Sequence, residues 1–141
     1  MDQTISMILF LAAILVFGAI LFAVITLTKR GSSNLDVTKY QTRWMAIEQQ
    51  LKRDEPTSFQ MTILNADNLL DKALKEKGVQ GATMGERMKH MQKTWSNANN
   101  VWSAHKLRNQ IAHESDFNIN YDNARRALAS FKQALKDLGA I

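Results

Sequence analysis

The chain has 141 residues, 45% of them hydrophobic, with six Gly, one Pro and no Cys. That length holds one ordinary domain rather than two, the composition is globular rather than disordered, and the lack of Cys excludes disulfides and thiolate metal sites. The formal charge is +5, all of the excess falling after residue 28, so the polar part is basic; that fits anionic lipid heads, nucleic acid or no particular partner, and charge alone does not choose among them.

Residues 5–28 carry no charge and are rich in Ile, Leu, Phe, Val and Ala. At about 1.5 Å per residue the run extends roughly 36 Å, enough to cross a hydrocarbon core of about 30 Å with some tilt. It has no polar face, and a domain this small could not wrap such a helix on every side. The basic flank of a cleaved signal peptide is missing as well. Residues 1–28 therefore read as an uncleaved anchor in the lipid bilayer. Lys29 and Arg30 follow directly, whereas the preceding flank has only Asp2. Basic residues mark the cytoplasmic end of a spanning helix, so the expectation is a single-pass protein with its C-terminal part inside.

Residues 29–36, with Gly31 and two serines, read as a linker, and residues 37–141 as the folded domain. Val37, Tyr40, Trp44, Ile47 and Leu51 recur at three-four spacing and predict one amphipathic helix. Pro56 ends any continuation, and Thr57 with Gln60 has the pattern of a capping box opening a second helix toward Gly78. Ile63, Ala66, Leu70 and Ala73 form its inner stripe. Thr83 with Glu86 repeats the pattern ahead of Met84, Met88, Met91 and Trp95. A further helix is expected over about residues 97–114. Asn120 caps a final one with the stripe Ala124, Leu128, Phe131, Leu135 and Leu138, closed by Gly139. No stretch alternates long enough for a strand. An all-α antiparallel bundle of about five helices after the anchor follows.

The helix over 97–114 has an unusual third face. Ala104, Leu107 and Ile111 fall together as a core stripe, and Ser103, Lys106, Gln110 and Glu114 as a solvated arc. Between them His105, Arg108, Asn109 and His113 share an arc of roughly 140° around Ala112. Two imidazoles, a guanidinium and a carboxamide suit anion binding and proton transfer.

The run from Arg108 to His113, with Asn109 after the Arg, resembles the R-x4-H motif of HEPN domains, helical bundles that carry it near the penultimate helix. The Ala-rich residues 123–138 also look similar, and the resemblance covers roughly residues 37–139. It implies a metal-independent endoribonuclease in which two copies form one composite site. On that basis Arg108 stabilises the phosphate, His113 transfers a proton and Asn109 lies in the catalytic set, with His105 and Glu114 supporting. Lys106, Arg125 and Arg126 are the candidate RNA contacts; His90 reads as surface. No cofactor and no metal are expected, because no carboxylate cluster accompanies the motif, only Glu114 and Asp116. Spacing suggests hydrogen bonds along the helix from His105 to Arg108 and from Asn109 to His113. The partners implied are a lipid bilayer, a second copy and RNA. The rival readings are a non-catalytic membrane-tethered scaffold and, more weakly, a lipid-surface binder.

Overall fold

A computed structural model describes residues 2–28 and 34–141. It divides into two compact units, Met1–Ser32 and Ser33–Ile141. Lys29, Arg30 and most of the expected linker lie outside the described residues.

The first unit is one helix, α1 (Gln3–Thr28), long and apolar enough to cross a membrane. Its described side chains, those up to residue 26, are exposed all round, Leu15 at 74% and Phe22 at 71%. The Thr26 hydroxyl donates to the carbonyls of Phe22 and Ala23 at 2.9 Å, so this polar group is satisfied within the helix, as an apolar solvent requires.

The second unit is a bundle of α2 (Val37–Gln50), α3 (Pro56–Glu76), α4 (Met84–Met91), α5 (Ala98–His113) and α6 (Tyr121–Leu138). No strand occurs among the described residues. Asp36 caps α2 by accepting from the Lys39 amide at 3.0 Å. Tyr40, Trp44 and Ile47 are buried as the spacing predicts, while Val37 at its start is 41% exposed.

The start of α3 departs from expectation. Pro56 occupies its first turn and Glu55 is the flanking residue, with no side-chain cap, so the Thr57–Gln60 box does not form. Proline suits that position because its φ is pre-set and the amide it lacks would have had no helical partner. Gln60 instead reaches across to donate to the Phe117 carbonyl at 3.1 Å.

At α4 the expected cap forms, with the reciprocal bond moved one residue outward, from the Thr83 amide to that of Ala82. The Thr83 hydroxyl accepts from the Glu86 amide at 3.2 Å, and Glu86 accepts from the Ala82 amide at 2.6 Å. Trp95 is buried, but in the turn beyond α4 rather than on it.

Asn120 caps α6 through the Asn123 amide at 2.8 Å. Gly139 ends it at φ 77, with the Ala140 amide returning to the Leu135 carbonyl at 2.9 Å. A residue without Cβ takes this left-handed turn at least cost.

Helix α3 is the centre of the bundle, packing on α2, α5 and α6. Ile63, Leu70 and Leu74 of α3 meet a core that includes Phe131 and Leu135 of α6, all fully buried. Removing each such side chain from water contributes about 1.5–3 kcal/mol. Helix α6 also packs on α5, which leaves α5 with one edge toward α3, one toward α6 and a third face outward.

Candidate functional site

The α3 stripe is interrupted by an acid. Asp67 lies one turn after Ile63 and one before Leu70, and is only 2% exposed. A carboxylate placed there needs partners, since leaving it unpaired in an apolar setting would cost several kcal/mol. Helix α5 supplies two. His105 Nδ1 lies 2.7 Å from Asp67 Oδ1. Arg108 Nε lies 3.2 Å from Asp67 Oδ2, within ion-pair distance but without the alignment of a hydrogen bond. Arg108 Nη1 donates to Asn109 Oδ1 at 3.2 Å.

The expected bonds along α5 are therefore replaced. His105 and Arg108 meet at a third residue from another helix, and Asn109 accepts from Arg108 rather than engaging His113. The physical reason is charge: two groups that carry or can carry positive charge gain more from a shared buried carboxylate than from each other.

A second acidic position follows one turn along α3. Asp71 Oδ1 accepts from Arg87 Nε at 2.9 Å and Nη2 at 2.7 Å, and Arg87 Nη1 donates to the Gly81 carbonyl at 2.6 Å. Lys75 lies 2.7 Å from the other oxygen. Arg87 is 5% exposed, so this pair locks α4 to α3. Burial pushes the Asp71 carboxyl up, yet its bonds to Lys75 and Arg87 outweigh that and hold it below the ordinary value.

The remaining site residues disperse. His113 is the last residue of α5 and exposed, with no hydrogen-bond partner among the described residues. Arg108 and His113 do not converge in one chain: five positions separate them by about 140° around the helix and about 7.5 Å along it. Ala112 is exposed and Glu114 is the C-cap, its amide donating to the Gln110 carbonyl at 2.8 Å. His90 is exposed.

Two hollows flank α5. One, of about 390 Å³, is bordered by Trp102, Ser103, His105, Lys106 and Asn109. The Trp102 and His105 rings stand edge to face there, 6.4 Å apart. The other, an open groove of about 680 Å³ between α5 and α6, is lined by Lys106, Gln110, Asn123 and Arg126 among others. Lys106 and Arg126 thus share one groove, whereas Arg125 is exposed elsewhere. Lys132 is engaged by Glu48 at 2.6 Å.

No family model, curated protein or solved structure matches this chain.

Among the described residues no three of His, Cys, Asp and Glu gather closely enough to hold a metal ion. What the arrangement offers is a cation held beside a buried acid, an imidazole on that same acid, and a second imidazole free at the end of the helix. Asp67 is the residue of this cluster that sequence spacing missed. Its signal was present: one acid inside the stripe Ile63, Ala66, Leu70.

Proposed function

We propose that this chain is a membrane-anchored HEPN-like domain that cleaves RNA at the cytoplasmic face without a metal ion, acting as a homodimer. The observation that carries the reading is Arg108: its side chain is 28% exposed beside buried Asp67, on the same helix as exposed, unpartnered His113. Arg108 holds the phosphate as negative charge develops on it, and His113 transfers a proton. Because the two point to different sides of α5, a second copy completes the site, and exposed Ala112 offers a small surface for close approach of its helix. Lys106 and Arg126 extend the positive surface along the α5–α6 groove, where a phosphate backbone would follow. The membrane assignment rests on α1, and the cytoplasmic one on Lys29 and Arg30 after it.

Full-length protein in detergent should cut single-stranded RNA in the presence of EDTA, leave 2′,3′-cyclic phosphate ends and spare DNA. His113→Ala should lower the rate by roughly 10²- to 10⁴-fold with the helical circular dichroism unchanged. Arg108→Lys should keep a charge at Asp67 but lose the planar fork, and should also be impaired. A second reading, a membrane-tethered scaffold, is favoured by the contact of Arg108 with Asp67, which serves packing alone equally well. Protein that dimerises and binds RNA but leaves every substrate uncut would establish the scaffold instead.

A further inference from the structure

Cleaving RNA through its own 2′-hydroxyl moves two protons: one leaves the 2′-oxygen and one reaches the departing 5′-oxygen. His113 accounts for one. We propose that His105, oriented by Asp67, is the second proton-transfer group, the base that accepts the 2′-hydroxyl proton; this rests on the nuclease reading above.

The geometry begins with the ring. An ionised carboxylate only accepts hydrogen bonds, so the 2.7 Å contact between Asp67 Oδ1 and His105 Nδ1 places the ring proton on Nδ1. That leaves the Nε2 lone pair on the opposite side. Nε2 has no partner among the described residues, and it is not among the enclosed unpaired atoms. The side chain is 12% exposed and borders the recess of Trp102, Lys106 and Asn109. A buried acid at one nitrogen and an open lone pair at the other fix an imidazole as a proton acceptor. Arg108 already supplies a cation at Asp67, so a histidine is not needed there for charge balance. The charged groups around the ring are Asp67 on α3 and Lys106 and Arg108 on α5, with Arg87 of α4 occupied by Asp71 one turn along α3.

His105 and His113 lie eight positions apart, about 12 Å along α5. The attacking 2′-oxygen and the departing 5′-oxygen meet at one phosphorus as the reaction proceeds and cannot span that distance. Two α5 helices crossing antiparallel about a two-fold axis at Asn109, midway between the histidines, would bring His105 of one copy beside His113 of the other. In the step so assembled, the 2′-hydroxyl proton passes to His105 Nε2 and the 2′-oxygen bonds to phosphorus. The bond from phosphorus to the 5′-oxygen breaks, and that oxygen takes a proton from protonated His113. The products are a 2′,3′-cyclic phosphate and a 5′-hydroxyl, with no change in oxidation state. His105 touches the substrate; Asp67 is a positioning residue.

The test uses full-length protein in micelles, labelled with nitrogen-15 in its three imidazoles. In the neutral form His105 should carry its proton on Nδ1, and a 2′-O-methyl oligonucleotide that cannot be cut should move its Nε2 resonance. His105→Gln should lower cleavage by roughly 10²- to 10⁴-fold and remove the acidic limb of the pH–rate profile, with the His90 signal unmoved as the sign of an intact fold. Asp67→Asn should turn the ring to the Nε2–H form and lower the rate while RNA binding persists. A neutral His105 protonated on Nε2 in the wild type, or an Nε2 resonance indifferent to the oligonucleotide, overturns the proposal. Wild-type cleavage with His105→Gln equally fast overturns it and leaves the nuclease reading intact. Wild-type protein that cuts nothing removes both.

Discussion

Asp67→Ala isolates what the buried acid contributes. Asp67 is 3% exposed at its side chain, and its partners His105 and Arg108 are 12% and 28% exposed. Deleting one member of a fully buried pair costs about 3–5 kcal/mol. Here the cost is smaller, because Arg108 regains part of its hydration at the surface and His105 can be neutral. Discounted for that exposure, the loss comes to about 2–3 kcal/mol. For a domain of this size that lowers the melting temperature by about 10–20 °C. Asp67→Asn keeps the shape and one hydrogen-bond acceptor and should cost only about 1 kcal/mol. Thermal unfolding of residues 33–141, followed by circular dichroism, measures both. Arg108→Met on the Asp67→Ala background should cost less than on the wild type, since the acid it served is gone. If Asp67→Ala and Asp67→Asn melt together, or if the alanine variant falls within about 0.5 kcal/mol of wild type, the buried carboxylate is not what joins α3 to α5.

Asp71 has its folded pKa below the ordinary value, so its contribution is fully present above the ordinary aspartate range near about 4 and is lost as the pH falls from there through the lower folded value. Acid titration of the unfolding free energy should show that slope, and Arg87→Met should flatten it. Gly81→Ala should destabilise more than Gly139→Ala. Both have positive φ, but a Cβ at Gly81 would stand 2.7 Å from the Arg87 amide nitrogen whereas nothing lies within 4 Å at Gly139; chemical denaturation would rank them, and equal losses would make backbone strain the whole effect. With Lys29 and Arg30 inside, protease added to intact cells should leave a C-terminal tag uncut, and its removal would overturn the cytoplasmic placement.

Periodicity located every helix of the bundle, because each carries one apolar stripe and each stripe has the three-four spacing that only a helix turns to one side. The same reasoning misplaced the start of α3. Thr57 and Gln60 satisfy a capping pattern, but Pro56 in the first turn already tolerates a missing donor, and Gln60 gains more by tying down the loop at Phe117. At the site, the α5 residues were legible as an odd face, since their types fit neither core nor surface. Their partners were not, because Asp67 lies 38 residues from His105 in sequence and helical spacing relates only neighbours on one helix. Arg87 escaped for the same reason: a charged residue between Met84 and Met88 reads as solvated until its acid on α3 is known.

The two acids of α3 have an effect opposite in sign before the bundle assembles. Asp67 and Asp71 are four positions apart, so in a detached helix their like charges face each other and disfavour the helical state by a few tenths of a kcal/mol, partly offset by Lys75 one turn beyond Asp71. Helix α3 is thus weakened as an autonomous element and made firm only when Arg87 arrives from α4 and His105 with Arg108 from α5. An isolated peptide of residues 56–76 should gain helix on acidification, while the assembled bundle loses stability over the same range. The segment at the centre of the fold is in this way disposed against ordering alone, which couples its formation to that of its neighbours and sharpens the cooperativity of folding.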